Sequence, residues 1–177
     1  IDRNDVDFPE ILIAVIRQTA SQLHDRAGIL LKPGYFRERF RSLGKLLGSD
    51  VSFDSLDLDV GFAKINTSIK NSPDAREELR KKLEPDTGNW LNAANDLLAT
   101  AYHELTRKGY AGLVVIVDDL DKMILRTHEP SKCSTQEYLF VHRAEQLRSF
   151  VCHMIYTIPI ELAYSHLEAT VSALYGR

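Results

Sequence analysis

Asp118, Asp119 and Asp121 follow directly on the apolar run Leu113-Val-Val-Ile-Val117. Carboxylates crowded beyond a strand end can hold a hydrated magnesium ion through its waters and polarise a water molecule for attack. Three acids converging on one ion would instead suit a metal-dependent nuclease or phosphatase. The bland alternative is a buried strand whose acids only cap the next helix. The six histidines and two cysteines add no strong metal spacing. His128, Cys133 and His142 are close in sequence, but across an expected loop and helix. No Gly-x-Ser-x-Gly elbow occurs, and His153, inside an apolar stretch, reads as a core or half-buried residue rather than a base.

The acids need elements to position them. Leu113–Val117 reads as a strand buried on both faces, central in a parallel sheet. In open α/β sheets, ligands sit beyond the carboxyl ends of such strands. Residues 150–157 (Phe150 to Thr157) carry bulky side chains on both alternating sets and read as a second central strand, ended by Pro159. Residues 134–148 between them read as a helix. The result is a strand–helix–strand unit with parallel strands and a right-handed crossover, with Thr157 at the tip of the second strand.

Upstream, Asp7-Phe-Pro-Glu10 opens a helix to about Asp25, with Asp7 as cap and Ile11, Leu12, Ile13, Val15, Ile16 and Leu23 on a wide apolar face. Gly28 and Pro33-Gly34 break it. A shorter basic helix is expected from Tyr35 to Leu47. Its Arg37, Arg39, Arg41 and Lys45 read as a solvated face rather than a phosphate contact. Residues 51–70 alternate, with a phase shift after Lys64, and read as an inserted β-ribbon. Ser72-Pro73 starts a helix ending near Glu84-Pro85. Residues 89–107 form a long helix with Trp90, Leu91, Ala94, Leu97, Leu98, Ala101 and Leu105 inward, closed by Lys108-Gly109. Residues 162–175 are part helix. The predicted class is α/β: a small parallel sheet flanked by helices.

Composition bounds the function. At 177 residues the chain is read as one domain; 44% is hydrophobic and 27% charged, ordinary for a globular protein. A net charge of −3 gives no nucleic-acid or anionic-membrane face. No apolar stretch approaches the roughly 20 residues of a membrane-spanning helix. The acidic start is unlike a signal peptide, and two unpatterned cysteines point to a reducing cytoplasm. The initial Ile1 suggests a fragment, a processed product or a trimmed numbering.

The stretch from about Arg76 to Tyr175 resembles bacterial P-loop ATPases of the AAA+ and STAND type. A basic helix (Arg76-Glu-Glu-Leu-Arg80) precedes a long helix with Asn92 and Asn95. Leu113-Val-Val-Ile-Val-Asp-Asp-Leu-Asp-Lys122 is similar to a Walker B block with its trailing Asp-Leu-Asp-basic signature, and Ile155-Tyr-Thr-Ile-Pro-Ile160 to the sensor-1 strand. Residues 9–25 fit the helix before Walker B. The resemblance implies a P-loop NTPase-like three-layer fragment, residues 1–177 forming a partial ATPase core with the β-ribbon at 51–70 as an insertion. Asp118 would bind Mg2+ through water, Asp119 would activate the attacking water, and Thr157 would sense the γ-phosphate. Mg2+ and ATP are the implied cofactors of the full-length protein, and its other domains or subunits the implied partners. Asp121 and Lys122 belong to the signature without an assigned role. Arg143 and Arg148 could reach a neighbouring subunit as arginine fingers, or form surface ion pairs.

One requirement is unmet within the chain. A phosphate loop needs Gly-x-x-x-x-Gly-Lys followed by Ser or Thr. The single Gly-Lys, Gly44-Lys45, is followed by Leu46, and position 39 is Arg. The loop is expected before residue 1 and the lid after Arg177. Without them the chain is expected to bind nucleotide weakly or not at all and to be inactive on its own. A non-catalytic interaction module and an Asp118/Asp119/Asp121 nuclease or phosphatase remain the alternatives.

Overall fold

The computed structural model describes residues 6–29, 73–129 and 131–176. The expected basic helix at 35–47 and β-ribbon at 51–70 lie outside the described residues. Helix α1 (Phe8–Ala27) begins as the sequence predicts. The Asp7 carboxylate accepts from the Phe8 N–H at 2.7 Å, and the Asp7 N–H donates to Glu10 Oε2 at 3.1 Å, a reciprocal capping box. Gly28 ends the helix at φ 58, in the left-handed region where it has no side chain to clash, and its N–H returns to the His24 carbonyl.

Helices α2 (Pro73–Leu83) and α3 (Thr87–Arg107) follow, joined by a tight turn at Glu84–Asp86. Helix α3 buries Trp90, Ala93, Ala94, Leu97, Leu98, Ala101 and Leu105 on one face. These meet Phe8, Ile11, Leu12, Val15, Ile16 and Leu23 of α1 in one core. These buried aliphatic and aromatic side chains of α1, none more than 4% exposed, at about 1.5–3 kcal/mol each, make this helix pair the main apolar anchor of the fold.

Strand β1 (Val114–Val117) pairs in parallel with β4 (His153–Tyr156), Val114 opposite His153 and Val117 opposite Tyr156. Between them lie a short antiparallel hairpin, β2 (Thr127–His128) and β3 (Cys133–Ser134), and a broken helical segment. Ser134 caps α4 (Thr135–Glu137) by accepting from the Glu137 N–H. A wide turn at Tyr138–His142 interrupts it, and α5 (Ala144–Arg148) resumes. The predicted single helix over 134–148 is therefore broken. The wide turn, closed by the Arg143 N–H on the Tyr138 carbonyl at 3.1 Å, carries the Arg143 side chain inward. Helices α6 (Ile160–Ala163) and α7 (Glu168–Tyr175) complete the described chain.

The sheet departs from expectation in its cover. Val115, Val117, Met154 and Tyr156 pack against the core. Val114, Ile116 and Ile155, on the opposite face, are 55%, 62% and 51% exposed. Neither strand is buried on both faces, and among the described residues the sheet has two strands in this layer. The expected α/β class and small parallel sheet are present. A complete three-layer sandwich is not formed by the described residues. No described helix is long and apolar enough to cross a membrane.

Candidate functional site

The C-terminal ends of β1 and β4 meet as the sequence predicts. The ladder runs one residue past β4, the Thr157 N–H donating to the Val117 carbonyl at 3.2 Å. This sets Thr157 beside the start of the acid turn. Its Oγ1 accepts from the Leu120 N–H at 3.0 Å and the Asp121 N–H at 3.4 Å. The hydroxyl therefore binds backbone across the two strand ends, the ordinary role of a strand-end threonine.

The turn between these bonds is tightly specified. Asp118 Oδ1 accepts from the Asp119 N–H at 2.8 Å. Asp119 has φ 69 in the left-handed region, tolerable for Asp because its short polar side chain bonds locally. Its carboxylate forms an ion pair with Lys122 on the same turn. The Lys122 and Met123 N–H groups close the turn on the Asp119 and Leu120 carbonyls. Leu120, 1% exposed, pins it to the core. The signature Asp-Asp-Leu-Asp-Lys thus has one local logic: Leu120 anchors the turn, the acids project, and Lys122 offsets one carboxylate.

Asp118 is exposed and Asp119 half-exposed. Both line a cleft of about 220 Å³ between the end of β1 and residues Ala14, Val15 and Gln18 of α1. A magnesium ion held through its waters needs few protein oxygens, because water and substrate phosphate fill the rest of its octahedron. One oxygen of Asp118 is bonded to the Asp119 N–H, and the other is left for water, so the residues present fit such an ion. A protein-only cage is a different matter. Among the described residues no group of three or more His, Cys, Asp or Glu could hold a metal ion. The three-acid convergence that a nuclease site requires, and a His128/Cys133/His142 zinc site, are not formed there. Among the described residues the cleft lining includes no Lys or Arg to neutralise a triphosphate.

The arginines part company. Arg143 is buried, donating to both Asp7 oxygens at 3.3 Å and to Glu84 Oε2 at 2.6 Å, with its guanidinium 5.0 Å over the Tyr138 ring. Burial pulls against its charge, but Asp7 and Glu84 outweigh it and hold the guanidinium more firmly protonated than usual. Committed to that network, Arg143 is not presented to a neighbouring subunit. Arg148, on α5, is exposed.

Sequence reasoning missed this network. Glu10 accepts from Arg80 Nε at 2.9 Å across 70 positions, and Arg143 reaches Asp7 across 136. Spacing cannot show such pairs. The usable signal was local: the Asp7–Glu10 capping box concentrates negative charge at the start of an otherwise apolar helix, and buried carboxylates demand cations. Asn95, noted on the long helix, bridges the loop before β4. Its side chain donates to the Ser149 carbonyl at 2.8 Å and accepts from the Val151 N–H at 3.0 Å.

No protein-family model matches the chain, and no curated protein or solved structure does either.

Proposed function

We propose that this chain is the Walker B and sensor-1 portion of an AAA+/STAND-like ATPase, coupling the nucleotide state to conformational change or assembly. One observation carries the reading: two acids emerge from the end of a parallel strand beside a threonine hydroxyl on its neighbour. In this reading Asp118 holds Mg2+ through water, Asp119 orients and deprotonates the attacking water, and Thr157 lies beside the transferred phosphate. The bound ion would supply electrophilic charge to the phosphate oxygens. The chain's own share is to fix the acid turn. The phosphate loop and its lysine must come from outside residues 1–177.

Two measurements test this. Calorimetric titration of the chain with Mg·ATP is expected to show weak or no binding; tight binding would contradict the assignment of phosphate affinity to an external loop. In a polypeptide in which the gene's preceding segment supplies that loop, Mg2+-dependent ATP hydrolysis is expected. There Asp119→Asn should lower kcat by about 10²–10⁴-fold, the usual weight of a general base. Unchanged turnover would remove Asp119 from the chemistry.

A non-catalytic interaction module is the second reading. It is favoured by the exposed apolar face of Val114, Ile116 and Ile155. Absence of hydrolysis in the loop-bearing polypeptide would leave that reading in possession.

A further inference from the structure

We infer that Cys133 is a nucleophilic modification site for small α,β-unsaturated carbonyl compounds, its thiol proton relayed through Ser131 to His128. The inference is independent of the ATPase reading. The β2–β3 hairpin assembles the three side chains. His128 and Cys133 face each other across it, and Ser131 lies in the connection. Ser131 Oγ is 2.9 Å from Cys133 Sγ and 2.7 Å from His128 Nδ1. One hydroxyl thus touches both a nucleophile and a base. Its other acceptor, the His128 carbonyl, is at 3.5 Å, the limit of a useful bond. The imidazole is held by stacking on Tyr138, with centroids 3.6 Å apart and planes 14° from parallel. By sequence His128, Cys133 and His142 are candidate zinc ligands. In the structure His142 packs against Tyr138 instead, with 5.7 Å between centroids, and the first two residues join Ser131.

The relay needs no heavy atom to move. At rest the thiol donates to Ser131 and the hydroxyl donates to Nδ1, while the ring keeps its own proton on Nε2. Shifting both protons one step gives a thiolate and an imidazolium bridged by the same serine. Burial, and then the charges of Arg80, Arg143 and His142, hold the ring below its usual range against the pull of Asp7. The resting ring is therefore neutral and has a lone pair to receive the proton. All three side chains are half-buried, so the sulfur is open to a small reagent and shielded from a large one. In the reaction, sulfur bonds to the β-carbon of the reagent, and the C=C electron pair moves to the α-carbon. That carbon takes the proton held by His128. The S–H bond is lost, a C–S and a C–H bond form, no group leaves and nothing is oxidised or reduced. This class of electrophile suits the site because it returns the proton. A displacement would leave the imidazolium charged beside Arg80 and Arg143, which oppose that charge.

The test treats the 177-residue chain with acrylamide at neutral pH and follows the adduct at each cysteine by peptide mass spectrometry. Cys152 is the internal reference. It is half-buried, burial pushes its thiol up, and its Sγ contacts Met154 Sδ at 3.5 Å. Native Cys133 should react about tenfold faster than the same cysteine in the urea-unfolded chain, although unfolding uncovers it. Cys152 should do the reverse. Ser131→Ala removes the bridge, and His128→Phe removes the base while keeping a ring to stack. Each should slow Cys133 about tenfold, and the double variant should be no slower than either, because one break interrupts the whole relay. Ser131→Thr keeps the hydroxyl and should restore the rate. A slow Cys152 marks each variant as folded. Where Cys152 accelerates, the variant has unfolded, and the native-against-urea comparison decides alone. A native Cys133 slower than in urea overturns the inference, since burial then only shields the thiol. So does a native rate in folded Ser131→Ala, or multiplicative slowing in the double variant.

Discussion

Glu10 sits in the first turn of α1 with its side chain 6% exposed, bonded to Arg80 and to the Asp7 N–H. Two effects compete there. Burial favours the neutral acid and the Asp7 charge adds to it, while Arg80 favours the carboxylate. Burial is the largest, and it pushes Glu10 from 4.5 up to about 7. A raised carboxyl means the folded chain binds a proton more tightly than the unfolded one. Its contribution is therefore most favourable at low pH and is lost as pH climbs from about 4.5 to about 7, the reverse of the usual acidic residue. At 1.36 kcal/mol per unit, the loss from pH 5 to 8 is about 2–3 kcal/mol. Glu10→Gln isolates it, because glutamine matches the protonated acid in shape and still accepts from the Asp7 N–H. The stability of the variant minus that of the native chain should rise by about 2–3 kcal/mol from pH 5 to pH 8, or about 5–10 °C in Tm. Urea unfolding followed by circular dichroism at several pH values measures it, with all other titrations cancelling in the difference. A flat difference would mean burial and Arg80 balance. A falling one would mean the ion pair dominates and the argument from burial is wrong.

Arg143→Met removes the cation from buried Asp7 and is expected to cost about 3–5 kcal/mol of unfolding free energy measured by urea titration, because an unpaired buried carboxylate is left behind. Leu98→Ala, in the fully buried face of α3, should cost about 2–5 kcal/mol by the same assay. Ile116→Thr, on the open face of the sheet, should change stability by no more than about 0.5 kcal/mol, and a core-sized loss would show that this face is covered in solution.

How far the sequence disclosed this molecule depended on the range of the interaction. Helix α1 was legible from its capping box and apolar stripe because both act within one turn of helix. The β1–β4 pairing was legible because apolar runs separated by a helical segment leave one economical topology. Thr157 beside the acid turn followed from that pairing alone. The wide turn at Tyr138–His142 was not legible. It delivers Arg143 to Asp7 and Glu84, residues far away in the chain, and local propensity carries no trace of a distant partner. The same blindness made Arg143 look like a surface arginine. The hairpin β2–β3 escaped for a different reason: two residues per strand are too few for alternation to be seen.

Burial on the sheet also changes what its composition means. A continuous apolar run predicts a strand covered on both faces. Yet Val114, Ile116 and Ile155 are open to water while Val117 is buried, so the run is apolar beyond what the described packing uses. Side chains on a half-open antiparallel sheet alternate with polar ones, and these do not. Of the residues facing outward on β1 and β4, Val114, Ile116 and Ile155 are suited to dry surroundings; His153, expected to be a core or half-buried residue, is exposed opposite Val114, and the acids at the end of β1 are suited to wet surroundings. That change from apolar to charged, within one residue at Val117–Asp118, places the cleft at the boundary between the two, where α1 contributes only Ala14, Val15 and Gln18. A phosphate-binding element would have to approach this cleft from outside the described lining and bring its own positive charge. The Mg·ATP titration of the chain and the turnover of the loop-bearing polypeptide examine that requirement separately.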